Sequence, residues 1–196
     1  MAQDDRRRWD EKYRSRGPAA VDTLQPPDFL RPYLDVVPRA GHALDLACGQ
    51  GFAAVWLARR GLSVRGVDIS PVAIEHARAL SVLSGVSERC RFDTFDLDDG
   101  LPPGPPVDMI VCHQFRDRRL DAAVIERLAP GGLLAVCCMS EVGADPGRFR
   151  AKPGELTEAF AELDLIATGE GEGSAWLVAR ARSSPRNSPR SSPRKQ

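Results

Sequence analysis

No part of this 196-residue chain contains the ~18–20 consecutive apolar residues that a membrane-spanning helix requires, so a helical membrane protein is not expected. The opening residues, MAQDDRRRWDEKYRSR, are charged and lack an apolar centre, which argues against a secretory leader. Five cysteines (Cys48, Cys90, Cys112, Cys137 and Cys138) include no C-x-x-C pair and no metal-ligand spacing. Neither a disulfide framework nor a metal centre is therefore expected, and a reducing cytoplasm is the natural setting. Net charge is also lacking, because 27 basic residues balance 27 acidic ones. That balance hides an asymmetry. Residues 181–196 carry four arginines and one lysine with no acid, leaving 22 basic against 27 acidic residues, a net of −5, in the body. What remains is ordinary for a soluble globular domain, with 42% hydrophobic and 28% charged residues.

The most informative segment is 42–70, HALDLACGQGFAAVWLARRGLSVRGVDIS. Ala43, Leu44, Leu46 and Ala47 form an apolar run broken only by Asp45, the pattern of an inner strand of a parallel sheet. Gly49 and Gly51 then permit a sharp turn and a close backbone approach to a ligand. Phe52, Val55, Trp56 and Leu57 follow at helical spacing, Gly61 stops that helix, and SVRGVDI reads as the next strand. Asp68 thus stands at the carboxyl end of strand two. Ligands of such sheets lie beyond the carboxyl ends of the strands, so Asp45 and Asp68 face one site. Gly49, Gly51 and Ala54 also fit the G-x-G-x-x-G/A pattern of dinucleotide sites, with an acid near the usual spacing, which leaves a nicotinamide cofactor open at this point.

The remainder alternates as a doubly wound fold requires. A charged helix over 5–16 places Trp9 and Tyr13 on one face, either as part of a lid or as an anchor to the core. A second short helix spans 28–37. Ser70–Pro71 predicts an N-cap and first helical turn, with the helix running to about 84. Further strands are expected at 90–97, 107–113 and 133–139, helices at 120–128 and 153–163, and a terminal hairpin from 164–168 and 175–180 around GEGEGS. Three segments follow: a helical cap over 1–40, a ligand-binding domain over 41–182, and a basic Ser-Pro-Arg tail over 183–196 expected to be disordered.

The phrase L-D-L-A-C-G-Q-G followed by V-D-I-S closely resembles the first two motifs of the class I S-adenosylmethionine (SAM)-dependent methyltransferases. RFDTFDLDDGLPP, PVDMIVCHQFRD and LAPGGLLAV resemble their third, fourth and fifth strand regions. RRWDEKYRSRG with FRAKPGEL resembles small bacterial members of the tellurite-resistance (TehB-like) and thiopurine types. The resemblance implies a Rossmann-like, mostly parallel seven-stranded α/β sheet with an antiparallel C-terminal strand. It further implies that Asp45, Ala47, Cys48 and the Gly49–Gly51 turn hold the methionine part of SAM. Asp68 would accept hydrogen bonds from the ribose hydroxyls, with Ile69 beside the adenine. Asp96, rather than Asp93, would meet the adenine amino group, with Leu97 packed on the ring. Ala47 stands where the family often has glycine.

The function implied is methyl transfer by in-line displacement to a small-molecule thiol, metalloid, hydroxyl or amine. Candidate bases for a protic acceptor are His113, after the apolar run MIVC, and Tyr13, if the first helix folds over the site. Gln114 and Arg116 are candidates for orienting a substrate, Arg116 an anionic one. The N-P-P-Y motif of amino-methylating enzymes is replaced here by C-H-Q-F, and no Pro-Cys pair exists for attack on cytosine. No membrane partner is expected, nucleic acid contact is confined to a weak role of the tail, and the chain is read as a monomer or weak dimer. Two other functions stay open: a SAM-binding protein without catalysis, and an NAD-dependent oxidoreductase.

Overall fold

A computed structural model describes residues 2–147 and 150–183. The Ser-Pro-Arg repeats expected to be disordered begin at Ser184 and lie outside the described residues. Eight strands form one sheet: β1 (His42–Leu46), β2 (Ser63–Asp68), β3 (Cys90–Thr94), β4 (Val107–His113), β5 (Leu128–Ser140), β6 (Arg150–Ala151), β7 (Asp164–Gly171) and β8 (Ser174–Arg180). Their order is β3-β2-β1-β4-β5-β8-β7, with the two-residue β6 paired to β5 off that path. Pairings from β3 through β5 are parallel, and β8 runs antiparallel to both β5 and β7. The expected seven-stranded sheet with one reversed strand is therefore present, with β6 as an addition.

Alternation along each inner strand divides the core into two layers. Ala43, Met109, Val111, Leu133 and Val178 face α2 (Phe52–Arg59), α3 (Pro71–Leu83) and the segment around Leu30. Leu44, Leu46, Ile110, Leu134 and Leu177 face α4 (Asp121–Arg127) and α5 (Glu155–Ala159). Each fully buried Leu or Ile contributes roughly 1.5–3 kcal/mol, so both layers stabilise the sheet against its helices.

Local chemistry explains where elements start and stop. The Ser70 hydroxyl caps α3 by accepting from the Ala73 amide at 3.2 Å, with Pro71 at the first helical position, as the sequence indicates. The β7–β8 hairpin closes through Glu172 and Gly173, both at positive φ (52° and 77°), the conformation a two-residue turn demands. Some expectations shift. The helix expected over 28–37 is a 3-10 helix, Asp28–Tyr33, because Pro32 inside it has no N–H to extend a regular ladder. Strand β3 ends at Thr94, since Asp96 starts a separate 3-10 turn at 97–99. Pro130-Gly131-Gly132 does not precede β5 but lies within it. The extra residues loop out between the Val107–Leu128 and Met109–Leu133 pairs.

Candidate cofactor and acceptor site

The carboxyl ends of β1, β2 and β4 meet at the glycine turn. Cys48 N donates to Val67 O at 2.9 Å, and Gly51 N donates to Cys48 O at 2.9 Å, which ties the turn to β2. Gly49 has φ 53°, and a Cβ there would come within 2.7 Å of the Tyr13 hydroxyl, so a side chain is excluded at this position. Two non-glycine residues at the same edge also sit in the left-handed region, Ala47 (φ 52°) after β1 and Gln114 (φ 63°) after β4. Backbone strain of this kind gathers at functional sites. Ala47→Gly removes ~1–2 kcal/mol of left-handed strain and gives back up to about 1 kcal/mol in unfolded-chain entropy. Urea denaturation is expected to show a net gain of about 0.5–1 kcal/mol; an unchanged or lower midpoint would mean that Ala47 is not strained.

Asp45 and Asp68 lie beneath this turn, buried to 2% and 5% exposure. Asp45 Oδ2 accepts from the Ala54 amide at 3.0 Å, one of the free donors in the first turn of α2. Asp68 accepts from Gly49 N through Oδ2 and from Ser70 N through Oδ1, both at 2.9 Å. Burial pushes the Asp45 carboxyl up to about 8, and the neighbouring Asp68 charge acts the same way against the Ala54 bond. Burial also raises Asp68, opposed by its two amide donors. Among the described residues neither carboxylate has a Lys, Arg or His nitrogen within ion-pair distance. Two buried acids with no cation suit a ligand that brings positive charge and hydroxyl donors. They do not suit a pyrophosphate, which would bring further negative charge to the same turn.

The first helix, α1 (Ala2–Arg16), covers this turn. Ser70 Oγ donates to Asp10 at 2.5 Å, and Gln50 Nε2 donates to Gly17 O at 2.6 Å while lying 2.9 Å from His76 Nδ1. Trp9 and Tyr13 stack at 5.8 Å between centroids, with the phenol over Gly49. Burial, and then the Asp68 charge, raise the Tyr13 pKa far above its usual value, so the phenol remains protonated. Gln50, Asp10 and Ser70 were not readable as a latch. Their partners stand 33 to 60 residues away in sequence, and no local pattern marks such contacts.

Beyond β2, Ile69 is half-buried, while Leu97 is 7% exposed and packs into the core. Asp96 Oδ1 accepts from Asp98 N at 2.9 Å. Asp93 is held by Arg65 at 2.8 Å and by Arg91, so it is committed to structure. Cys48, half-buried in the turn, has its thiol pushed up by burial and by Asp45.

On the other side, His113 ends β4 in register with Cys137, which in turn pairs with Trp176 across β8. Phe29 lies 5.7 Å from the His113 ring and 6.4 Å from Trp176, and Tyr33 closes the group at 5.7 Å from Trp176. Burial against these rings lowers the His113 pKa, with Asp28 opposing, while the residue remains exposed along one side. Phe29 and Trp176 went unrecognised as site residues because β8 is the last strand in sequence yet sits beside β5. Arg116 proves unavailable to a substrate. Its side chain is 6% exposed, and all three of its nitrogens are taken, two by Asp121 (2.5 and 2.8 Å) and Nε by Glu155 (2.9 Å).

Residues 43–132 match the family model for a methyltransferase domain. The chain is 35% identical over 107 residues to a ribosomal RNA small subunit methyltransferase C of Alcanivorax borkumensis, covering 49% of this chain and 31% of that protein. It is 32% identical over 132 residues to methyltransferase GfsG of Streptomyces halstedii, covering 61% and 46%. The chain thus spans less than half the length of these curated relatives. Among solved structures, TehB of Haemophilus influenzae superposes with a TM-score of 0.66 at 18% identity, covering 79% of this chain and 60% of that one. A protein from the conversion of a disulfide bond into a thioacetal group during echinomycin biosynthesis gives 0.65 at 21%, covering 92% and 94%. Residues 43–132 are thus similar to a methyltransferase domain, and the chain has the fold of the class I methyltransferases, whose methyl donor is S-adenosylmethionine.

Proposed function

We propose that the protein methylates a small molecule from SAM. The buried pair Asp45 and Asp68, which no protein cation meets among the described residues, carries this reading, because SAM offers an ammonium to Asp45 and ribose hydroxyls to Asp68. Asp68 and Ile69 hold the ribose and adenine, with Asp96 at the exocyclic amine and Leu97 behind the ring. Asp45, Ala47, Cys48 and the backbone of Gly49 and Gly51 hold the methionine part. The α1 segment serves as a lid. Tyr13 acts as a hydrogen-bond donor rather than a base, since its phenol stays protonated.

Bound SAM supplies an electrophilic methyl group. The protein aligns an acceptor nucleophile with it, and alignment alone is worth several kcal/mol. For a protic acceptor, His113 takes the proton as the new bond forms; its lowered pKa keeps the ring neutral at pH 7, with a nitrogen free to accept. Phe29 and Trp176 offer an apolar wall suited to a compact acceptor. Some relatives are named for larger acceptors, ribosomal RNA and ribosomal protein L11. Others are named for ubiquinone biosynthesis. The aromatic wall favours the latter kind.

Calorimetry with SAM, S-adenosylhomocysteine and NAD, followed by an assay on thiols and phenols, tests the reading. Expected are binding of the two sulfur compounds but not NAD, and turnover of at least one acceptor. With a phenol, His113→Asn should lower kcat about 10²–10⁴-fold with SAM affinity unchanged. Binding of NAD alone would refute the cofactor. SAM binding with transfer only to RNA or protein would refute the small-molecule acceptor.

A further inference from the structure

Glycine inside a strand weakens it, so Gly169 within β7 needs a reason. Its own backbone supplies none, because Gly169 is not among the residues at positive φ and other residues adopt the same conformation. The reason lies across the hairpin. Gly169 pairs with Trp176 of β8, and a Cβ at position 169 would come within 2.6 Å of three indole atoms, Cε2, Cζ2 and Nε1. The indole therefore leans away from β5 and lies over the bare backbone of β7. Strand register continues the row. On its other side Trp176 pairs with Cys137 of β5, and Cys137 pairs with His113 of β4. Register partners share a face, so Gly169, Trp176, Cys137 and His113 stand in line across the sheet. Leu46 pairs with Cys112, which puts Ala47, at the glycine turn, next to His113. Over the row, Tyr33 stands 5.7 Å from the indole, and Phe29 stands 6.4 Å from the indole and 5.7 Å from His113. The one residue between the indole and His113 is thus a small cysteine, with Ser174 Oγ 3.6 Å from its sulfur.

We infer that Gly169 is a positioning residue that sets acceptor specificity: it holds Trp176 over β7, so that a ring-bearing acceptor fits above Cys137 and beside His113. The inference rests on the proposed methyl transfer and names its acceptor class, an aromatic phenol or thiol whose ring packs against Phe29 and the indole. A side chain at position 169 would push the indole off β7. Tyr33 and Phe29 close the way outward, so the indole would swing over Cys137 towards His113 and take the place of the acceptor ring. The width of the site is thus set three strands along the sheet from the base, at a residue that itself touches no substrate. A glycine that weakens β7 is offset by the room it leaves, since an apolar pocket discriminates between acceptors by their size.

The test compares SAM-dependent methylation of phenol with that of naphthol, and of thiophenol with that of thionaphthol, by the full chain. Wild type should methylate the larger member of a pair at least as efficiently as the smaller. Gly169→Ala should lower kcat/KM for the larger member relative to the smaller about tenfold, through a higher KM, because one methylene-sized group in an apolar pocket is worth about 10–200-fold. Adding Trp176→Phe to that variant should restore most of the ratio, since the smaller ring clears the new methyl group. SAM affinity should match wild type in both variants, which shows that both are folded. Independently of turnover, NMR should show the His113 ring protons displaced in Gly169→Ala as the indole and its ring current come closer. A wild type that binds no SAM would refute the proposed methyl transfer, and the inference with it. With SAM bound, no turnover of any of these acceptors, an unchanged size ratio in Gly169→Ala, or His113 resonances that do not move would each overturn this inference and leave the cofactor reading standing.

Discussion

Asp68→Ala is expected to weaken SAM binding at least 100-fold and to lower stability by about 2–4 kcal/mol, because in the proposed reading one carboxylate serves both the cofactor and the fold. Its two oxygens accept from Gly49 N and Ser70 N, each at 2.9 Å, and both amides lie in a buried region. Without an acceptor, each amide costs about 1–3 kcal/mol. The loss falls short of the full sum because burial already raises the Asp68 pKa, so part of its hydrogen bonding offsets desolvation. The binding loss follows from the two charge-assisted bonds that the proposal gives Asp68 to the ribose, worth about 1.5–3 kcal/mol each. Calorimetric titration and urea denaturation measure the two effects. A SAM affinity within threefold of wild type would remove Asp68 from the cofactor site, whatever happened to stability.

Arg116→Ala should be the most destabilising change on the other face of the sheet, at about 3–5 kcal/mol, because it strands two inward-facing acids. Asp121 is 19% exposed and Glu155 12%, and Arg118 from the rim is left as the remaining cation on Glu155. The effect should depend on pH in a stated direction. The partnered Glu155 carboxyl is held below its usual value of 4.5, opposing a desolvation that would raise it. A depressed carboxyl stabilises the fold above its unfolded pKa and loses that contribution as pH falls through its folded one. The gap between wild type and Arg116→Ala should therefore be full above about pH 5 and shrink in stronger acid. Denaturant midpoints from pH 3 to 7 measure it, and a gap that widened in acid would show that the ion pairs do not stabilise the fold.

Much of the candidate crevice's geometry was legible because it is local in sequence. A strand, a glycine turn and a helix within 42–70 place Asp45, Gly49, Gly51 and Asp68 together whatever the rest of the chain does, since a β-α-β crossover has one hand and a short reach. The cap at Ser70 and the glycine-rich hairpin between β7 and β8 follow from side-chain and backbone preferences within a few residues. The 3-10 form of Asp28–Tyr33 was not legible in the same way, because periodicity alone does not separate it from a regular helix so short.

The sequence by itself determined the fold class, the position of most strands and the residues of the glycine turn, through period, turn chemistry and short connections. Only the tertiary structure decided the partners. It placed Tyr13 over Gly49, joined Asp10 to Ser70, and set Phe29 and Trp176 beside His113. It also buried Arg116 against Glu155 and drew Arg60 and Arg180 to one loop. Each of these pairings spans a distance in sequence over which residue type carries no information about proximity. Packing of the layers, with its demand that buried charge and polar groups find partners, selects them.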